Sequence, residues 1–460
     1  MKKINDVKGP EISKKTLTEE NLYNFILRKE YKKNQETVFW TVFMAYMIFY
    51  FTRKQWTVFG SQLMEDGIIT TSQYSIVGLI LAIVYGLSKF INSPLSDRKS
   101  NRWLLGLGLI GAGIFNFLLG FSWINVSNIL TPIILSSVLM VLIGWIHSLG
   151  AIPCVRFFYN WFDHKSRRNR NIIWNISHNI GSALSSFLII GSFSLFSETF
   201  GWLGYFILPS VISIIFGIIV ILIIKDRPEK AGLPSLQEYY NLKMIGEENQ
   251  IVKNNEVDKP WKYYFIKYVL KNKFIWFLAV ANMLMYTVRM GISDWGLNYL
   301  KKVHDFDIKN QGKWIYSMFD WGGVSTTLIL GLLANKYLKK FAKFNMAMIL
   351  IATLSLVGIW LLAKDSIVLL ATFMLLAGVL YIPQCFLSVM ANEFSHHKVI
   401  STSTGVLGVF GYFGDALMSK VIIGQWLINV GWTAVFIFLI SCGLVAATML
   451  IPMFNKHAAQ

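Results

Sequence analysis

The sequence predicts an all-α membrane protein, with twelve transmembrane helices arranged as two pseudo-symmetric bundles of six. Composition is the first reason, because 54% of the 460 residues are hydrophobic, 15% are charged and the mean hydropathy is +0.50. The second reason is a series of apolar runs, each near the roughly 20 residues that a helix needs to cross about 30 Å of hydrocarbon. The third is a repeat, since Tyr50 and Arg53 return as Tyr286 and Arg289 about half a chain length later.

The apolar runs form two groups of six on either side of a polar stretch that contains Pro228, Gly232 and Pro234. The runs are Phe39–Gly60, Tyr74–Leu95, Trp103–Phe121, Ile133–Val155, Asn171–Leu195, Gly201–Ile224, Phe274–Tyr299, Trp314–Ala334, Met346–Leu362, Ile367–Ala391, Thr402–Trp426 and Gly431–Ile451. We therefore expect five segments, which are an N-terminal segment at 1–37, bundles at 38–226 and 273–454, a linker at 227–272 and a tail at 455–460. Internal duplication of this kind is the plan of many secondary transporters, whose sites lie between the repeats.

Basic residues are concentrated in alternate loops, and this pattern predicts the orientation of the chain. They crowd the N-terminal segment, the loops after the second and fourth helices, and the linker, whereas 60–73, 122–131 and 428–431 contain neither Lys nor Arg. The positive-inside rule then places both termini in the cytoplasm. One loop on the opposite side is an exception to this pattern. It contains Lys301, Lys302, Lys309 and Lys313, with Asp305 and Asp307 among them. The net charge of +18 therefore indicates orientation, and no nucleic-acid partner is expected.

Cysteine usage and the N-terminal segment exclude several other features. Cys154, Cys385 and Cys442 all fall in or at apolar runs, without disulfide or metal-ligand spacing, so we expect packing roles and no cofactor. The first 36 residues are polar and mixed in charge, where a cleavable signal needs an apolar core, so the first helix is predicted to be a retained anchor.

Arg53 and Arg289 are the strongest candidates for binding. An arginine at the centre of a membrane helix costs about 2.5–3.5 kcal/mol, so such residues usually line a substrate path or find a partner. Guanidinium groups donate two parallel hydrogen bonds to phosphate oxygens, which lysine cannot do. Two arginines would nearly balance a dianionic phosphoryl group, and an empty site would leave two cations that oppose closure. A structural role as a kink cap or carboxylate partner is disfavoured, because neither helix carries an acid up to that depth.

Other polar residues in apolar runs are weaker candidates. Tyr46, Tyr50 and Arg53 share one helix face at positions i, i+4 and i+7. Lys89 follows Tyr85 by one turn, and its alternative role is to extend toward the membrane surface. A histidine ordinarily has a pKa of about 6.5, so His178 is a candidate to change charge as substrate loads, unless it is a satisfied core histidine.

Two acids also stand in apolar runs, and intramembrane acids are functional candidates by default. We expect Asp320 to provide a counter-charge for Arg289. Asp415, five residues before Lys420, is a candidate contact for a sugar hydroxyl.

These residues resemble the major facilitator superfamily, and within it the antiporters that exchange organophosphates such as glycerol 3-phosphate or hexose phosphates for inorganic phosphate. The segments that carry the resemblance are Tyr46 to Lys54, Tyr85 to Phe90, Ser96 to Arg98, Trp174 to Asn179, Asp226 to Pro234 and Tyr286 to Trp295. The resemblance implies a monomer in the lipid bilayer whose two halves rock about a central site. The residues on the family's binding positions are Tyr46, Tyr50, Arg53, Tyr85, Lys89, Asn175, His178, Tyr286, Arg289, Tyr381 and Tyr412.

The resemblance also implies a gating loop, in which Asp97 and Arg98 help to lock the outward-facing state. Ser93 and Asn335 depart from the glycine and aspartate that the family commonly carries there, so the second latch is expected to be weak.

The resemblance favours a hexose phosphate such as glucose 6-phosphate as the substrate, with glycerol 3-phosphate as the alternative. A sugar-phosphate sensor of the same fold is a second class of function. A membrane enzyme acting on phosphate esters is disfavoured, because the sequence contains neither paired acids with metal spacing nor a Ser-His-Asp arrangement.

Overall fold

The computed structural model describes residues 14–124, 128–239, 261–337, 341–363, 366–396 and 399–455, and every regular element in these ranges is a helix. The first half contains α1 (Lys14–Arg53), α2 (Gln55–Glu65), α3 (Thr71–Arg98), α4 (Asn101–Phe121), α5 (Leu130–Trp161), α6 (His164–Phe200) and α7 (Ile207–Ile223). The second half contains α8 (Lys273–His304), α9 (Asn310–Ala334), α10 (Phe341–Leu362), α11 (Ile367–Ala391), α12 (Ser403–Trp426) and α13 (Trp432–Met453).

The predicted all-helical membrane fold is confirmed. Ten helices in the described ranges are long and apolar enough to cross a membrane, and α7 is a shorter apolar helix of 17 residues. The remaining predicted span, Phe39–Gly60, is divided between α1 and α2 rather than continuous. Lys54 forms the turn between these two helices, with φ −86° and ψ −1°, and its side chain is buried.

The two halves meet closely at one end of the bundle, which we call the far face. The end of α7 and the start of α8 lie at the opposite end, which we call the linker face. Lys301 of α8 forms an ion pair with Glu65 of α2 at 3.4 Å. The Tyr74 hydroxyl donates to the backbone oxygen of Asp294 at 2.9 Å. Gly424 allows α12 to approach α3, because a Cβ at this position would lie 2.7 Å from the Ser75 hydroxyl oxygen. Small residues permit such contact between membrane helices.

Several helices of the second half contain π-helical turns, at Thr327–Gly331, Gly358–Leu362 and Gly414–Ile423. Such turns are frequent at functional sites because they change which side chains share a helix face. The longest of them carries Asp415 and Lys420, which an α-helix would separate by about 140° around its axis. Both side chains line one cavity in the structure.

Candidate functional site

Arg53 ends α1 at the break in the first membrane segment, and aromatic rings hold its guanidinium. The Arg53 Cζ atom lies 4.1 Å from the centre of the Tyr85 ring of α3 and 5.3 Å from that of Tyr50. A cation over an aromatic face is attracted by the ring quadrupole, and this attraction grows when water is excluded. Arg53 is therefore oriented by rings, and its guanidinium forms no hydrogen bond with any residue that the structure describes.

Arg289 has a similar environment in the second half. Its Nη1 atom donates to the Gln384 side-chain oxygen at 2.7 Å, and its Cζ atom lies 4.3 Å from the centre of the Tyr381 ring. The Tyr286 ring is 5.9 Å away. The Nε atom of Arg289 is buried without a hydrogen-bond partner. A buried donor that lacks a partner costs free energy, so this guanidinium is prepared for an additional acceptor.

Asp320 and Arg289 form no direct ion pair in the structure, and a counter-charge role for Asp320 stays a prediction. Asp320 accepts hydrogen bonds from the Ser182 hydroxyl at 2.6 Å and from the Tyr381 hydroxyl. The Tyr381 side chain thus lies between the two charges, because its ring faces Arg289 while its hydroxyl binds Asp320. Ser182 belongs to α6, so Asp320 links the two halves.

One cavity of about 50 Å³ brings the two arginines together. Its lining includes four cationic side chains and two carboxylates, so the lining residues themselves carry a net charge of +2. These six residues are Arg53, Lys54, Arg289, Lys420, Asp294 and Asp415. Neither arginine pairs with a carboxylate in the part of the chain that the structure describes. The volume accommodates a few water molecules, so a larger solute would need the halves to move apart.

His178 lies among aromatic rings from both halves. Its ring centre is 5.4 Å from that of Tyr50, 6.2 Å from that of Tyr46 and 5.6 Å from that of Tyr381. The Nε2 atom is buried without a hydrogen-bond partner. His178 is therefore not the fully satisfied core histidine that was the alternative interpretation.

Lys89 also reaches across the interface. Its Nζ atom donates to the Tyr412 hydroxyl at 3.1 Å and lies 4.8 Å from the centre of the Tyr85 ring. The Tyr412 ring in turn packs 4.8 Å from Tyr85 and 5.8 Å from Tyr286. The lysine thus points into the interface rather than toward the membrane surface, and a tyrosine cluster surrounds it.

The remaining predicted residues lie away from this cavity or outside the described part. Asn175 donates to the Cys385 sulfur at 3.4 Å, on the side of the site nearer the linker. Tyr46 stacks on Trp174 at 4.7 Å between ring centres. The side chains of the predicted gating residues Asp97 and Arg98 lie outside the described residues, as do those of Ser93 and Asn335.

The sequence analysis gave no role to Lys54, which is central to the site. Its Nζ atom donates to the Ser293 hydroxyl and, at 3.3 Å, to the Tyr316 hydroxyl, both in the second half. Lys420 pairs with Asp294, whereas the Asp415 Oδ1 atom is buried without a partner. For Lys54, its position next to an intramembrane arginine was the available signal.

Gln384 and His147 were also not singled out. Gln384 binds Arg289, as described above, and His147 Nε2 lies 3.1 Å from the hydroxyl of Thr52, the residue before Arg53. Isolated polar side chains in apolar runs were the available signal for both. That signal alone does not indicate which residue Gln384 or His147 contacts.

Comparisons with known proteins agree with this architecture. A family model described as Major Facilitator Superfamily matches residues 38–419. The chain is 31% identical over 439 residues to a probable hexose phosphate transport protein of Chlamydia trachomatis, covering 94% of this chain and 93% of the relative. It is 30% identical over 437 residues to the glycerol-3-phosphate transporter of Bacillus subtilis, covering 92% and 93%.

Two further comparisons extend this set. The chain is 28% identical over 427 residues to the membrane sensor protein UhpC of Escherichia coli, covering 91% of this chain and 92% of the relative. A solved structure of a bacterial homologue of the human lysosomal transporter Spinster, inward-facing and unoccupied, superposes with a TM-score of 0.68. It covers 93% of this chain and 99% of that chain at 13% identity, which is evidence for the fold alone.

Proposed function

The chain belongs to the major facilitator superfamily, and from this premise we propose that it exchanges an external organophosphate for internal inorganic phosphate. The family match confirms the resemblance seen in the sequence, and with the apolar helices it confirms a multi-pass membrane protein. The family and the relatives also confirm a transporter rather than an enzyme. The proposal further places it in the inner membrane of a bacterium, as a monomer with both termini in the cytoplasm.

The charge of the central cavity is the observation that carries the proposal. One guanidinium comes from each half, neither is neutralised by a carboxylate within the described ranges, and the lining has two positive charges in excess. A dianionic phosphoryl group would balance that excess. Forked guanidinium donors suit its oxygens, and the partnerless Nε atom of Arg289 would gain an acceptor.

Exchange follows from the same charges. Without an anion, bringing the halves together around the site sets Arg53 against Arg289 in a medium of low dielectric, which is costly. Phosphate or an organophosphate removes this cost and lets the halves rock to the other face. Passage of the empty carrier is then slow, so uptake of one anion is coupled to exit of another.

A hexose phosphate such as glucose 6-phosphate is the proposed substrate. Support comes from the relative named as a probable hexose phosphate transport protein. In this proposal Arg53 and Arg289 bind the phosphoryl group, His178, Lys89 and the tyrosines complete its shell, and Asp415 accepts from a sugar hydroxyl. Glycerol 3-phosphate is the alternative, supported by the relative from Bacillus subtilis.

A sensor of sugar phosphate is the second candidate function, because one relative is named a membrane sensor protein. Both functions need a binding site, so binding alone does not separate them. A sensor would bind the ester without exchanging it for phosphate. An antiporter would exchange the two anions at a rate that depends on the anion inside.

The test is uptake of labelled phosphate into proteoliposomes that are either loaded with unlabelled phosphate or empty. External glucose 6-phosphate, glycerol 3-phosphate or 3-phosphoglycerate is added as competitor. Uptake into loaded vesicles alone, with glucose 6-phosphate the strongest competitor, is the expected result. Equal uptake into empty vesicles would contradict exchange, and ester binding without uptake would favour the sensor.

A further inference from the structure

A second cavity, of about 340 Å³, lies in the first half on the linker face of the membrane. It is formed where α4 begins and where the chain leaves α7, far along the sequence from the central arginines. Its lining residues are Ser100, Arg102, Trp103, Lys225, Asp226 and Lys230. Three cations against one carboxylate leave an excess of positive charge.

The carboxylate in this cavity already has a structural task. Asp226 accepts from the Ser100 hydroxyl at 2.5 Å and from the Arg102 backbone N–H at 2.9 Å, so it caps the start of α4. Lys230 approaches it at 3.5 Å. Neither Arg102 nor Lys225 forms an ion pair with any residue that the structure describes. Two cations therefore remain available to an external anion.

The backbone beside the cavity is held firmly. The Asn160 side chain donates to the Asp226 backbone oxygen at 2.9 Å, and the Trp161 indole donates to the Lys225 backbone oxygen at 3.0 Å. Both donors belong to α5. The basic side chains thus project from a fixed frame rather than from a loose loop, which lowers the entropy cost of binding.

Apolar stripes lead from the cavity across the membrane. On α4 the exposed side chains are Trp103, Leu107, Ile114 and Leu118, and on α7 they are Leu222, Ile218, Ile215 and Val211. Spacings of three, four and seven residues keep each stripe on one helix face. The two helices touch at Gly106 and Gly217, where a Cβ on Gly217 would lie 2.7 Å from the Gly106 oxygen. The stripes are therefore adjacent, and Trp103 lies at the interfacial end where tryptophan is favoured.

We propose that this cavity binds the phosphate headgroup of an anionic phospholipid, with the acyl chains lying along the stripes of α4 and α7. Basic pockets between membrane helices are suited to such headgroups. A free phosphate ion would use the same cations but would gain nothing from the exposed apolar stripes. The proposal does not depend on what the protein transports.

Native mass spectrometry tests it, because adduct mass separates a lipid from phosphate. The protein is released from bilayers of equal dioleoyl phosphatidylglycerol and dioleoyl phosphatidylcholine, with inorganic phosphate present. Arg102→Gln combined with Lys225→Gln should lower retained phosphatidylglycerol about 30-fold, at about fivefold for each basic residue near an anionic surface. Arg102→Lys combined with Lys225→Arg keeps the charge and should retain the lipid.

The matched control is Arg227→Gln with Lys271→Gln, which removes the same charge from exposed positions outside the cavity. It should retain phosphatidylglycerol. Thermal unfolding in phosphatidylcholine alone checks that each variant is folded. Unchanged lipid retention in the cavity variant, equal loss in both variants, or a phosphate adduct in place of the lipid would each overturn the proposal.

Discussion

Replacing Lys54 with methionine should weaken the contact between the halves on the far side of the central cavity. The Lys54 ammonium donates to the Ser293 hydroxyl and to the Tyr316 hydroxyl at 3.3 Å, and so joins the turn between α1 and α2 to the second half. Methionine preserves the approximate side-chain length but donates no hydrogen bond. Tyr316 keeps a partner, because its hydroxyl also donates to the Ser293 backbone oxygen at 2.5 Å.

The size of the expected effect follows from the Ser293 hydroxyl, which loses the lysine ammonium as its hydrogen-bond donor. A hydrogen bond to a charged group contributes about 1.5–3 kcal/mol. Losing it should change the ratio of far-face-closed to far-face-open molecules about 10- to 150-fold. Lys301→Met is the matched control, since its ion pair with Glu65 is partly exposed and is worth about 0–1 kcal/mol. Its effect should be about fivefold at most.

The assay uses Cys385, which is partly exposed and bonded to Asn175 of the other half on the linker side. Opening of the far face closes the linker side, so Lys54→Met should slow labelling of Cys385 by a maleimide without ligand. Cys154 and Cys442 are buried and serve as internal controls. Wild-type labelling in Lys54→Met, or an equal change in Lys301→Met, would refute the reasoning.

Three further predictions concern the site. Tyr381→Phe keeps the ring beside Arg289 but removes the bond to Asp320, so it should weaken phosphate binding less than Tyr381→Leu in calorimetry; equal losses would contradict the ring contact. His178→Phe keeps an aromatic ring beside Tyr50 but removes the buried Nε2 atom that lacks a partner, so it should weaken phosphate binding in the same titration; unchanged affinity would reduce the histidine to packing. Asp415→Asn removes a negative charge from the cavity and should strengthen phosphate binding, measured by the same titration; weaker binding would show that the carboxylate positions a cation.

Much of the architecture was predictable because it depends on local composition and on the repeat. Apolar runs mark helices wherever the solvent is hydrocarbon, and the recurrence of Tyr50 and Arg53 as Tyr286 and Arg289 indicated equivalent places in two halves. Both arginines do line one cavity. Their roles in binding stay predictions.

Other features depend on contacts between distant segments. The turn at Lys54 divides the first membrane segment without any proline or glycine, and its buried ammonium has hydrogen-bond partners in the other half. Asp320 binds Tyr381 and Ser182 instead of Arg289, a choice set by how α6, α9 and α11 meet. Lys420 faces the cavity only because a π-helical segment changes the helix register there. None of these is encoded in local spacing.

The most direct test of the account is phosphate exchange by Arg53→Lys and by Arg289→Lys in proteoliposomes. Lysine keeps the positive charge but donates to phosphate as a point charge, without the paired bonds of a guanidinium. Losing one charge-assisted hydrogen bond should weaken phosphate affinity about 10- to 150-fold in each variant, and exchange should fall accordingly. Wild-type exchange in both variants would contradict a phosphate site shared by the two arginines.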